Sequence, residues 1–230
     1  MNTDDHAGTD DHTGTVPSAE AVLPLRDEPD LRPVVERAQV HEGMIFDLVR
    51  DTVDFAEGVR FDREYVRHTG AVAVLAVDDA DRVLMIRQYR HPVGHALWEI
   101  PAGLLDLDGE APHVAAAREL SEETGYEPTG LRTLVDLRPS PGGNDEVIRV
   151  YLATGVQVDE AEFERTDEEA ELVERWVPFA DAVTAVLEGR ITNATTVSAL
   201  LSLQVLRDRG QGVDELRPAD APFMARPGRD

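Results

Sequence analysis

Two strand-like runs, Ala71 to Val77 and Val83 to Gln88, constrain this chain more than any other feature. Both are dense in β-branched and large apolar residues. The Asp78-Asp79-Ala80-Asp81 stretch between them is rich in turn formers, so the pair predicts a hairpin. Three weaker strand signals precede it: Val34 to Val40, Met44 to Val53 after a His41-Glu42-Gly43 turn, and Val59 to Val66. A helix follows from Pro112 to Thr124, with proline in its first turn and Gly125 placed to end it. Leu131 to Leu137, Val147 to Leu152 and the short Trp176-Val177-Pro178 read as strands. Phe179 to Glu188 and Ala194 to Arg207 have helical spacing, the second with Asn193 as its N-cap. Strands interleaved with a few helices predict a mixed α/β or α+β domain.

The ends are of different character. Residues 1–32 hold eight acids, two arginines and no aromatic side chain, a composition that predicts a disordered acidic tail. Residues 33–66 form an N-terminal β segment, 67–208 the main domain, and 209–230 a flexible tail rich in proline, glycine and charge. The chain carries 46 acids against 22 bases, a formal charge of −24. Such a surface repels nucleic acid and anionic lipid, so neither is an expected partner. Without cysteine there are no disulfides and no thiolate chemistry; all the bases are arginine, which removes lysine Schiff-base and P-loop chemistry. The chain lacks both a long apolar run and a positively charged leader, so a cytoplasmic location is expected.

The helix of residues 112–124 carries an unusual charge pattern. At about 100° per residue, Val114, Ala117 and Leu120 fall on one side as the expected core stripe, and Glu119, Glu122 and Glu123 crowd the other. Like charges at i, i+3 and i+4 repel, each pair costing a few tenths of a kcal/mol. A cation above that face would resolve the conflict; a solvated acidic face is the plainer explanation. Oxygen-only ligands select hard ions such as Mg²⁺ or Mn²⁺, and Mg²⁺ in turn suggests a phosphorylated substrate.

The segment Glu110-x7-Arg118-Glu119-Leu120-Ser121-Glu122-Glu123-Thr124-Gly125-Tyr126 resembles the Nudix box, G-x5-E-x7-R-E-U-x-E-E-x-G-U. One departure stands out. Gly103 to Glu110 is one residue longer than the pattern, and the extra residue falls in the loop before the helix. The resemblance implies an α/β/α sandwich around a mixed β-sheet, with an N-terminal β extension. Trp98-Glu99-Ile100-Pro101-Ala102-Gly103, Arg87-Gln88-Tyr89-Arg90 and Ser140-Pro141-Gly142-Gly143 look like the ADP-ribose pyrophosphatase subgroup.

That likeness further implies a homodimer paired through the N-terminal β segment, and site residues position by position. The Ala102 carbonyl with Glu119, Glu122 and Glu123 would hold Mg²⁺ or Mn²⁺, while Arg118 would brace a box carboxylate. Arg90 and Arg63 would contact the phosphates or the adenosine end, Arg63 reaching in from the neighbouring subunit, and Glu146 would contact the substrate. A general base would come from the acidic run Asp159 to Glu171, with Glu168 first, then Glu169 and Glu171. The implied reaction is metal-dependent hydrolysis of ADP-ribose to AMP and ribose 5-phosphate. Three alternatives stay open: another nucleoside diphosphate derivative as substrate, a non-hydrolytic sensor of the same fold, or an acidic interaction protein.

Overall fold

The computed structural model describes residues 25–159 and 172–223. Residues 1–31 and 32–230 separate into two units, and the described part of the first, 25–31, is exposed throughout. The second unit opens with an antiparallel sheet of its own: β1 (Val34–Glu42), β2 (Asp47–Ala56) and β3 (Val59–Arg67), in the order β1-β2-β3. The predicted Met44 start of the second strand is displaced to Asp47. Gly43 makes the turn there, and a Cβ on it would lie 2.2 Å from the Phe46 carbonyl oxygen.

The main sheet is built on β4 (Ala71–Val77), in which all seven residues are buried. Burial on both faces explains its uninterrupted apolar sequence. β4 turns into β5 (Arg82–Arg90), and then come β6 (His95–Glu99), β7 (Ala102–Leu104), α1 (Pro112–Thr124), β8 (Tyr126–Pro128) and β9 (Leu131–Leu137). They are followed by β10 (Ile148–Thr154), β11 (Val156–Val158), β12 (Val173–Pro178), α2 (Phe179–Leu187), α3 (Ala194–Asp208) and β13 (Arg217–Pro218). The strand order is β12-β5-β4-β10-β9-β13, with β6 on β5 and β7 on β4. β10 runs parallel to β4 and antiparallel to β9, so the sheet is mixed.

Alternation along β4 divides the core in two. Ala73, Leu75 and Val77 pack with Phe179 and Ala182 of α2 and Leu200 and Leu203 of α3. Val72, Val74 and Ala76 pack with Ala115, Ala116 and Leu120 of α1 on the opposite face. The result is the expected α/β/α sandwich. Asn193 caps α3 as predicted, its side chain accepting the Thr196 N–H at 2.9 Å.

Two expectations need correction. The core stripe of α1 keeps Leu120 as expected but not Val114, which is 49% exposed, and Ala117 is only half-buried; Ala115, Ala116 and Glu123 are buried in their place. The small side chains of Ala115 and Ala116 turn toward the sheet, which rotates the buried face away from Val114. The C-terminal segment is also not wholly a tail. Pro218 and Arg217 pair with Arg132 and Thr133 of β9. The carbonyls of Ala221 and Pro222 accept hydrogen bonds from Arg149, whose guanidinium lies 4.7 Å from the Phe223 ring centroid. No helix among the described residues is long and apolar enough to cross a membrane.

Candidate active site

α1 presents its acids beside β7 and the Asp106–Glu110 loop. The extra residue before the helix is absorbed there, with Gly109 at φ +79° and the Glu110 N–H donating to the Leu107 carbonyl. Glu110 consequently still reaches Arg118, accepting from Nε and Nη2 at 3.0 Å each. The same guanidinium lies 2.8 Å from Glu119 Oε1 and 2.9 Å from Glu122 Oε2. One arginine thus holds three carboxylates that would otherwise repel. Its hydrogen bonds keep the Glu110 carboxyl below the usual carboxylate range. Burial pushes the Glu119 carboxyl up against the opposing pull of Arg118.

Glu123 faces inward at 5% exposure, and its Oε2 accepts the Ala102 N–H at 3.0 Å. This bond ties the carboxylate to the strand whose carbonyl the resemblance assigns to the ion. Gly103 supplies the room beside it: a Cβ there would lie 1.9 Å from Glu119 Cδ and 2.2 Å from its Oε2. The Glu119 carboxylate therefore occupies space that only glycine leaves free. Gly103→Ala is expected to displace that flexible carboxylate and leave the fold intact, lowering turnover on the order of 10²-fold, because small misplacements of reacting geometry are that costly. Steady-state kinetics alongside a melting curve checks both halves of this expectation.

The donor set suits a hard divalent cation: three carboxylates and a backbone carbonyl, without sulfur or imidazole. Among the described residues no three acidic or histidine side chains already converge as an ion site. The reason is visible in the contacts. Arg118 draws Glu119 and Glu122 to itself while Glu123 turns to the Ala102 amide. An ion would have to take Glu119 and Glu122 from Arg118, leaving that guanidinium on Glu110.

Arg63 and Glu146, far apart in the chain, line one cavity of about 510 Å³ with Tyr65, Arg138, Asn144 and Asp145. Parallel bridging between Val66 and Asn144 seals β3 against this loop, and the Val66 N–H donates to the Gly143 carbonyl. Tyr65 is pinned by its hydroxyl bond to Asp51, which Arg37 grips at 2.7 Å through both carboxylate oxygens. Arg37 holds the Asp51 carboxyl below its usual value, and burial pushes the Tyr65 hydroxyl up. Register places cavity and helix at one end of β4: Ala71 pairs with both Leu104 of β7 and Ile148, which follows Glu146 closely.

Arg90 does not line this cavity. It forms a bidentate pair with Glu99, 3.1 and 2.8 Å long, a pairing that the sequence does not show. Glu168, Glu169 and Glu171, the expected source of the base, lie outside the described residues. Arg138, Tyr65 and Asp145 were also not anticipated. The only sequence signal for Arg138 is its place just before Ser140-Pro141-Gly142-Gly143.

The NUDIX domain family matches residues 67–200. The chain is 44% identical over 188 residues to an ADP-ribose pyrophosphatase of Mycobacterium tuberculosis, covering 82% of this chain and 89% of that protein. It is 39% identical over 172 residues to a methanol dehydrogenase activator of Bacillus methanolicus, covering 74% and 91%. A solved structure titled as an ADP compounds hydrolase superposes with a TM-score of 0.66 at 25% identity, covering 81% of this chain and all of that one. Box, fold and relatives agree: this chain belongs to the NUDIX family and is a NUDIX pyrophosphohydrolase.

Proposed function

We propose that the protein hydrolyses the diphosphate of ADP-ribose to AMP and ribose 5-phosphate. The observation that carries this reading is the acid row of α1, with Glu119 and Glu122 held by Arg118 and Glu123 bonded to the Ala102 amide. The relatedness to an ADP-ribose pyrophosphatase along most of both chains supports the choice of substrate. Glu119, Glu122, Glu123 and the Ala102 carbonyl would hold Mg²⁺, or Mn²⁺ in its place. When bound, the ion supplies Lewis acidity and neutralises the charge of the diphosphate. Arg63 binds the anionic substrate through its forked donors, and Glu146 orients the substrate from the cavity wall. Arg90 would have to exchange Glu99 for the substrate to bind it in the same way. Glu168 takes the proton of the attacking water. Arg118 acts indirectly, keeping the α1 carboxylates in place.

A homodimer belongs to the same reading. The sheet of β1 to β3 and its turn expose Val34, Val35, Val40, Phe46 and Phe55, an apolar surface suited to a second copy. The direct test is product analysis after incubation with ADP-ribose and Mg²⁺. Equimolar AMP and ribose 5-phosphate are expected, abolished by EDTA. Intact ADP-ribose, with another nucleoside diphosphate derivative cleaved from a panel, would overturn the substrate assignment.

A further inference from the structure

In a chain with 46 acids and 22 arginines, a guanidinium without a carboxylate partner is the exception. Arg37 pairs with Asp51, Arg67 with Asp47, Arg82 with Asp78, Arg90 with Glu99 and Arg149 with Asp136. Among the described residues Arg63, Arg87, Arg138, Arg175 and Arg209 show no such partner, and of these Arg63 and Arg138 face one cavity together. Arg63 instead lies over the Phe61 ring, 5.1 Å from its centroid. Both line the same 510 Å³ cavity. Two carboxylates share that space without pairing to them. Asp145 Oδ1 accepts the His68 N–H at 2.7 Å, and Glu146 Oε1 stands 3.6 Å from His68 Nδ1. That nitrogen already accepts the Gly70 N–H at 3.0 Å, so it offers Glu146 no proton.

Free forked donors and a carboxylate with acceptor capacity, held apart around one cavity, fit a ligand that is anionic at one end and hydroxylated at the other. A guanidinium gives a phosphate two parallel charge-assisted bonds. A carboxylate accepts from the hydroxyls of a ribose. We infer that Arg138 is a substrate-binding residue: with Arg63 it receives the phosphate of a ribose 5′-phosphate unit in this cavity, and Glu146 accepts from the ribose hydroxyls. The inference rests on the proposed function and extends it to a residue outside the box. ADP-ribose contains two such units, the nucleoside half and the distal half.

The test uses full-length Arg138→Met and wild-type protein, titrated calorimetrically with AMP and with ribose 5-phosphate in EDTA, and assayed kinetically with ADP-ribose and Mg²⁺. A lost charge-assisted bond predicts at least about tenfold weaker binding of one probe and a KM raised by a similar factor, with kcat changed less than about twofold. Weakened AMP binding places the nucleoside half in the cavity; weakened ribose 5-phosphate binding places the distal half. Arg138→Lys should recover part of the loss, since it keeps the charge but not the fork. Melting temperature should stay put, because Arg138 has no described partner to lose. Arg175→Met, at an unpaired arginine in a different cavity beside α2, should change nothing. Binding of both probes within about twofold of wild type in Arg138→Met would overturn the inference. If wild type bound a probe through Arg138 yet left ADP-ribose intact, the substrate assignment would fall and the cavity assignment would stand.

Discussion

Replacing Glu122 and Glu123 together by glutamine is expected to lower kcat on ADP-ribose on the order of 10²- to 10³-fold, the scale seen when a preorganised charge-stabilising group is removed. The substitution is close to isosteric. At position 123 an amide oxygen can still accept the Ala102 N–H, and at position 122 the side chain is already 37% exposed. Arg118 keeps Glu110 and Glu119 as partners. Stability should therefore change little, and removing two negative charges from a chain at −24 relieves self-repulsion. Kinetics and thermal melting on one preparation separate the two effects. An acidic face without chemical purpose predicts the opposite, activity within a few-fold of wild type.

Asp136→Asn should have the largest effect on stability. Its carboxylate binds Arg149 Nε and Nη2 at 2.7 and 3.0 Å, with the two side chains 9% and 1% exposed, and also accepts from Arg217 at 2.8 Å. Arg149 stands in β10 on the α1 face, where Tyr151 and Ala153 are core residues. Asparagine keeps one accepting oxygen but removes the only carboxylate paired with Arg149 among the described residues, leaving the charge to neutral partners: the carbonyls of Ala221 and Pro222 and the Phe223 ring. Removing one partner of such a buried pair costs about 3–5 kcal/mol. For a domain of this size that corresponds to a fall in Tm of roughly 10 °C.

The pH dependence has a definite sign. Burial alone would push the Asp136 carboxyl up, but the hydrogen bonds from Arg149 and Arg217 outweigh it and hold it below its ordinary 3.8. A depressed folded pKa contributes stability that is complete above the unfolded value and is lost as pH falls through the folded one. The gap between wild type and Asp136→Asn in denaturant titrations should therefore be constant near neutrality. It should narrow as pH drops below about 4. A gap that widens on acidification would contradict the assigned pairing.

What could be read from the sequence was local. β4 and α1 begin and end where apolar runs, proline and Gly125 place them. β6 and β7 escaped notice because Leu97-Trp98-Glu99 mixes residue types and Pro101 interrupts the run; their pairing with β5 and β4 is made across the fold. Arg149 misleads in the same way. A charged residue in a strand suggests an exposed face, and its burial depends on the C-terminal residues folding back over it. At the site, the acids of α1 were visible as a pattern because helical spacing alone gathers them. The cavity was not, since Arg63 and Arg138 meet only through the bridge between β3 and the loop before β10. The inward turn of Glu123 likewise needed the sheet, because the helix alone cannot show which face lies against β7.

Crystals grown with Mn²⁺ and a nucleotide provide the most direct measurement, by the anomalous signal of manganese. An ordered ion coordinated by Glu119, Glu122 and Glu123, with Arg118 withdrawn onto Glu110, is expected. A map with no manganese beside these three carboxylates, while nucleotide is bound nearby, would contradict their assignment as the metal-holding centre.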